Sequence, residues 1–132
     1  MVLTKEMMDA IEKNNIVWLA TASEDGTPNV VPIGFARPLN NETILLVANF
    51  MKKSLKNLKS NHKAAIAVGN ISETPYQFKG SVEIYESGKY FEEAVDWTKS
   101  VMSQLDPKAA ILFKVKEIYS VQPGPDAGNK LE

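Results

Sequence analysis

The sequence predicts a mainly β protein, with six strands in an antiparallel barrel and helices at its periphery. Three observations carry that reading. Short runs rich in β-branched and aromatic residues recur along the chain, among them NIVWLATA at 15–22 and TILLVANF at 43–50. Clusters with turn chemistry, such as SEDGTP and RPLNNE, separate them. The order lacks the strand–helix–strand rhythm of a doubly wound sheet, which leaves an antiparallel barrel as the architecture.

Each element has its own local cause. Residues 4–14, TKEMMDAIEKN, form a helix: Thr4 caps it, Glu6 suits the positive end of its dipole, Met7, Met8 and Ile11 make an apolar stripe, and Asn14 and Asn15 end it. The runs at 15–22 and 29–36 pair as a hairpin across SEDGTP, in which Gly26 takes the backbone angles a turn requires. Pro32 donates no ladder hydrogen bond, which makes the second strand irregular or an edge near that point. The next strand, 43–50, is apolar enough to be buried. A short helix follows in the lysine-rich segment, with Leu55 and Leu58 inward and Lys56 and Lys59 outward. Residues 64–70 form a strand, ISETP turns the chain, and 76–86 alternates polar and apolar residues as a strand with one wet face. The strongest helical spacing runs over 87–105, from a Ser87 cap through Phe91, Ala94, Val95, Thr98, Val101, Met102 and Leu105, before Asp106 and Pro107 stop it. AAILFKVKEIYSV, 109–121, is the sixth strand.

The 132 residues, 44% of them hydrophobic, suit a single core. No linker divides residues 1–121, and the Pro/Gly-rich run at 122–132 reads as a terminal tail whose last residues carry no functional weight. No apolar run approaches the roughly 20 residues of a membrane helix, and the start lacks the apolar core of a signal peptide, so a soluble, cytoplasmic protein without membrane contact is expected. With no cysteine and one histidine, His62, the chain lacks the means for disulfides, thiolate catalysis, iron–sulfur clusters or ordinary zinc sites. Difficult chemistry here calls for a bound cofactor.

One stretch asks for a partner. Five of the fifteen basic residues, Lys52, Lys53, Lys56, Lys59 and Lys63, fall within twelve positions of a chain whose net charge is −1. A helix start carries unpaired amides and roughly half a positive elementary charge, so Lys52 and Lys53 repel it unless an anion lies between them. A phosphate resolves the conflict, with the amides near Ser54 and Leu55, the Ser54 hydroxyl and the ammonium groups as donors. A solvated basic helix is the alternative from composition alone. A nucleic-acid surface has less support, since the chain is slightly acidic and carries no nucleic-acid motif.

The order and spacing of the first helix, NIVWLATASEDGTPNVVPIGFA, ILLVANFMKKSLKNLKSNHKAAIAV and FKGSVEIYE resemble the small FMN-binding split-barrel proteins related to pyridoxamine 5'-phosphate oxidase, over nearly all of residues 4–121. That resemblance implies a Greek-key split barrel that binds FMN as a small flavoprotein oxidoreductase or electron carrier. A non-enzymatic flavin-binding or redox-sensing module and a deazaflavin-dependent reductase remain alternatives. In KKS it implies that Lys52, Lys53 and Ser54 hold the flavin phosphate, with Asn57 and Leu58 behind them. It maps the lining of the isoalloxazine ring onto Val31, Pro32, Ile33 and Gly34, and the cover of ribityl and ring onto Val47, Ala48, Asn49 and Phe50. It also implies a homodimer with flavin near the subunit interface, and a small-molecule electron donor or acceptor. The tail PGPDAGNK departs from the basic C-terminal segment of true pyridoxamine phosphate oxidases, which argues against oxidation of a vitamin B6 phosphate.

Other residues read more simply. His62 after a helix suits its final carbonyls, Trp97 and Tyr90 suit packing, Arg37 a surface turn and Lys79 an exposed strand. The carboxylates on the helix faces do not pair across a cleft, and neither GxGxxG nor a Walker A pattern is present. No side chain is assigned a catalytic role.

Overall fold

The computed structural model describes residues 2–14, 16–70 and 73–131. Its elements in chain order are α1 Lys5–Lys13, β1 Val17–Ala22, β2 Pro28–Ile33, β3 Ala36–Pro38, β4 Thr43–Ala48, α2 Lys53–Ser60, β5 Lys63–Val68, β6 Tyr76–Tyr85, α3 Lys89–Val101, β7 Ala109–Ser120 and β8 Lys130–Leu131. The strands form one antiparallel sheet in the order β2-β1-β5-β6-β7-β4-β3, with β8 on β7.

That order forces curvature. Laid flat, seven strands would separate the edges β2 and β3 by roughly 29 Å at the usual strand spacing. The chain allows far less, because β2 ends at Ile33 and β3 begins at Ala36, and three residue steps span at most roughly 11 Å. The sheet therefore bends until its two edges meet at Gly34 and Phe35. The result is the expected split barrel of antiparallel strands.

Strand count departs from the expected six. The run expected as one strand over 29–36 breaks into β2 and β3 at the seam, and the tail adds the two-residue β8, which pairs Leu131 with Ile118. Pro32 sits on β2 at the sheet edge, opposite Trp18, where its missing N–H costs no ladder bond to a further strand.

Alternation along β4 explains its unbroken hydrophobicity. Ile44, Leu46 and Ala48 face the barrel interior, packed with Leu19, Ile66, Phe78 and Phe113, while Leu45 and Val47 face outward beneath Ala94 and Trp97 of α3. Both faces are covered, so no polar residue interrupts the run. β7 repeats the pattern, with Ile111 and Phe113 inward and Ala110 and Leu112 outward. Burying each such large side chain contributes about 1.5–3 kcal/mol.

The helices close the remaining openings. Thr4 caps α1 by accepting from the Met7 N–H at 3.2 Å, and Met7 and Ile11 enter the main core. The Asn14 N–H donates to the Ala10 carbonyl at the helix end, while Asn15, Ile71 and Ser72 lie outside the described residues. On α3 the cap is Gly88, at φ 89°, rather than Ser87, and the helix ends at Val101 instead of continuing to Leu105. Beyond it, Lys99 Nζ donates to the Leu105 carbonyl at 2.8 Å and folds the next residues back, which buries Leu105 off the helix. Val101 and Met102, expected on the apolar stripe, are consequently exposed.

Two positions yield measurable consequences. Gly80 stands at a bulge in β6, where an added Cβ would lie 1.9 Å from the Lys114 carbonyl oxygen. Gly80→Ala is expected to lower stability by more than about 2 kcal/mol in urea unfolding, since a main-chain atom must move. Gly26→Ala, with nothing within 4 Å but a φ of 87°, should cost only about 1 kcal/mol.

In the β1–β2 turn, hydrogen bonds from the Ser23 hydroxyl and from the Thr27 hydroxyl and N–H hold the Asp25 carboxyl down at about 2. A carboxylate depressed on folding stabilises the fold above its unfolded value near 3.8 and loses that contribution as pH falls toward 2. Asp25→Asn should therefore flatten the dependence of Tm on pH between those values, as read by thermal melts at graded pH.

Candidate functional site

At the seam the outer wall of the barrel opens into a cleft of about 550 Å³, within the range of small-ligand sites. Its walls come from four places. Val31, Pro32, Ile33, Gly34 and Phe35 supply the end of β2 and the handover to β3; Val47, Asn49, Phe50 and Met51 supply the end of β4 and its loop; Lys52, Lys53 and Ser54 supply the start of α2; Met102 and Leu105 follow α3.

Of the eleven residues singled out from the sequence, ten line this cleft. Ala48 does not. It points inward like Leu46, two positions earlier, and is fully buried in the main core beside Ala109. Phe35, Met51, Met102 and Leu105 had not been anticipated. Phe35 and Met51 stand next to anticipated residues, a signal that proximity alone could have supplied. Met102 and Leu105 arrive from a distant segment, and only the early end of α3 turns them toward the cleft.

The start of α2 has the electrostatics of an anion site. Lys52 is its N-cap, no side chain caps it, and the first turn has no acidic residue. The first helical N–H with an intrahelical acceptor is that of Lys56, which donates to the Lys52 carbonyl at 3.1 Å; the amides of Lys53, Ser54 and Leu55 precede it and have no acceptor within the helix. Lys52 and Lys53 are exposed beside them. Three amides with no partner among the described residues, the positive end of a dipole and two ammonium groups thus converge at the cleft.

Buried contacts hold that helix end in place. Leu55 and Leu58 pack into the main core, while Ser54 and Asn57, one turn apart, face the β1–β2 hairpin. Asn57 Nδ2 donates to Thr21 Oγ1 and Asn29 Nδ2 donates to Ser54 Oγ, each at 3.0 Å. Thr21 and Asn29 are themselves directly opposite in the β1–β2 register. Two cross-strand residues therefore grip two helical ones. On the other side Lys108 Nζ donates to the Met51 carbonyl at 3.1 Å and fixes the loop leading into the helix.

One lining atom lacks a partner. Asn49 Oδ1 is buried and accepts no hydrogen bond within the described residues, a deficit of about 1–3 kcal/mol for a buried polar group. A ligand N–H or O–H in the cleft would satisfy it. Phe50, by contrast, projects into solvent at the mouth, 78% exposed.

The other polar and aromatic residues considered lie elsewhere. His62 is exposed at the far end of α2, where its carbonyl accepts from the Val82 N–H. Arg37 lies 4.2 Å over the Trp97 ring and pairs with Glu93 at 3.7 Å, and Trp97 meets Phe35 edge-on at 5.2 Å, which braces the cleft wall against α3. Tyr90 packs on Tyr85, and Lys79 lies over the Tyr119 ring. Among the described residues no group of three His, Cys, Asp or Glu side chains could hold a metal ion, and no helix is long and apolar enough to cross a membrane.

The family model for pyridoxamine 5'-phosphate oxidase matches residues 3–122. A Methanocaldococcus jannaschii protein, itself uncharacterized, is 43% identical over 128 residues, 96% of this chain and 85% of that one. Among solved structures, HupZ of Group A Streptococcus superposes with a TM-score of 0.82 at 30% identity, over 96% of this chain and 99% of that one. A putative pyridoxamine 5'-phosphate oxidase of Lactobacillus delbrueckii superposes with a TM-score of 0.69 at 26% identity, covering 89% and 93%. An FMN-binding protein of Syntrophomonas wolfei, an F420 reductase and the heme storage protein HutZ of Vibrio cholerae share the fold at 18%, 18% and 17% identity.

Proposed function

The chain belongs to the pyridoxamine 5'-phosphate oxidase family, and on that premise we propose that its cleft binds FMN and that the protein is a small flavoprotein, an oxidoreductase or electron carrier. The observation that carries this reading is the bare start of α2 with Lys52 and Lys53 beside it. That arrangement suits a phosphate, and the shape of the rest suits what a phosphate of this cofactor is attached to. Lys52, Lys53, Ser54 and the first amides of α2 would hold the phosphate. Main-chain groups of Val31, Pro32, Ile33 and Gly34, with Val47 and Phe35, would line the ring, and Asn49 Oδ1 would accept from a ring N–H or a ribityl hydroxyl.

When bound, FMN supplies one- and two-electron transfer that the side chains of this chain do not. The protein's part is to bind, orient and exclude water. An apolar wall of Val31, Ile33, Val47 and Leu105 lowers the local dielectric around the ring site, and the lysines confine the charge to one end.

The relatives named for F420 and for heme mark the other ligands this fold accommodates. FMN is favoured over heme because the cleft pairs one strong anion site with an apolar floor, whereas His62 stands at the opposite end of α2; a phosphate-bearing deazaflavin is the second reading, separated from FMN by which of the two the protein takes up.

We further propose a cytoplasmic homodimer with the flavin near its interface. The support is the exposed apolar side chains of Phe50 at the cleft mouth, Val30 on the edge strand β2 and Trp18 on the neighbouring β1, at 78%, 61% and 48% exposure, which a second copy of the chain would cover.

The test begins with the purified protein. A yellow preparation that releases FMN, or a colourless one that takes up added FMN and quenches its fluorescence, supports the reading; failure of both defeats it. Lys52→Ala with Lys53→Ala should weaken FMN by at least about tenfold, or 1.4 kcal/mol, and leave riboflavin within about twofold, because only FMN carries the phosphate. Equal losses for both ligands would remove the phosphate from those lysines.

A further inference from the structure

We propose that Asn29 is a positioning residue for the anion site: by donating to Ser54 Oγ it turns the Ser54 hydroxyl into an obligate donor toward the ligand. This rests on the reading of the cleft as an FMN phosphate site.

A serine hydroxyl has one proton and two lone pairs, and by itself rotates to whichever partner is nearest. Here the choice is constrained. Asn29 Nδ2 lies 3.0 Å from Ser54 Oγ, and an amide nitrogen only donates, so this contact occupies a lone pair and leaves the proton to point elsewhere. Among the described residues no acceptor for that proton is found, and Ser54, only 2% exposed, borders nothing open but the cleft, where a ligand oxygen or a water is the remaining acceptor. The hydroxyl lines the cleft beside the unpaired amides of α2. Its proton is therefore left for an acceptor in the cleft, on the side where those amides also lack partners.

The surrounding contacts keep Asn29 in that role. Thr21, directly across the strand pair, accepts from Asn57 Nδ2, so the two amides are divided between two hydroxyls, Asn57 on Thr21 and Asn29 on Ser54. The Asn57–Thr21 bond also fixes Ser54, one turn earlier, at its distance from β2. Direction of donation is the point of the arrangement. A carboxylate at position 29 would take the Ser54 proton for itself and set a negative charge beside the ligand's own.

The experiment is a fluorescence titration with FMN and with riboflavin on the unaltered chain, Asn29→Ala, Ser54→Ala and the double variant, with thermal melts as a folding control. Ser54→Ala should weaken FMN about tenfold and Asn29→Ala about three- to tenfold, while the double variant is no weaker than Ser54→Ala within about twofold, the non-additivity expected when one residue acts through the other. Riboflavin should stay within about twofold throughout, a split that a merely structural role of Asn29 would not produce. If Asn29→Ala melts without cooperativity, Asn29→Asp preserves the volume. It should weaken FMN by more than about tenfold while sparing riboflavin, because the Ser54 proton is then captured. Additive losses in the double variant, equal losses for the two ligands, or unchanged FMN affinity in Asn29→Asp overturn the role of Asn29 and leave the FMN reading standing. An unaltered chain that binds neither ligand overturns both.

Discussion

The two-residue passage from β2 to β3 is the constraint on which the molecule depends. It ties the opposite edges of a seven-strand path, so the sheet has to curl, and the curl creates the interior that Ile44, Leu46, Phe78, Ile111 and Phe113 fill. The same passage is too short to pair as a continuous ladder. Gly34 and Phe35 therefore leave a gap in the wall, and the cleft is that gap. A barrel closed by hydrogen bonds all the way round would be sealed at this point; one closed by chain connectivity is left with an opening on its outer surface.

A second local conflict is placed at that opening. Lysines at a helix start oppose its dipole, and the start of α2 has no cap to relieve them. The energetic cost is held by contacts that have no part in ligand binding: Leu55 and Leu58 in the core, Asn57 on Thr21, and Lys108 on the Met51 carbonyl. Local strain at one site with support from its surroundings is how folds commonly maintain a binding site. Phe35, Trp97 and Arg37 play the matching part on the far wall, stacking α3 against the seam.

Much of this was legible beforehand, for reasons that differ by element. Apolar and β-branched runs between turn clusters, with alternation in β6, located β1, β4, β5, β6 and β7 to within two residues, because strands that fill a core have to be apolar on at least one face. The place of Lys52, Lys53 and Ser54 at a helix start in the cleft was legible because its signal is local: a lysine pair, a serine and a helix start are neighbours in sequence. β3 and β8 were not, being too short to show a period. The end of α3 was misjudged for another reason. Apolar residues continue at helical spacing to Leu105, but the Leu105 carbonyl is captured by Lys99 and the chain turns back instead. Ala48 was expected at the site because the resemblance mapped the whole strand end, 47–50, onto the ligand, yet alternation on β4 sends it inward.

From the sequence alone came the longer elements, the antiparallel character of the barrel with its first hairpin, and the family resemblance with its expected phosphate-holding residues, since each depends on patterns local to the chain. Only the folded structure decided where the barrel is left open, that Met102 and Leu105 join its mouth, that Asn29 reaches Ser54 across twenty-five positions, and that Asn49 Oδ1 is left without a partner among the described residues. Those are long-range placements. They follow from how far a curved sheet brings its edges together, a distance that no local pattern of residues encodes.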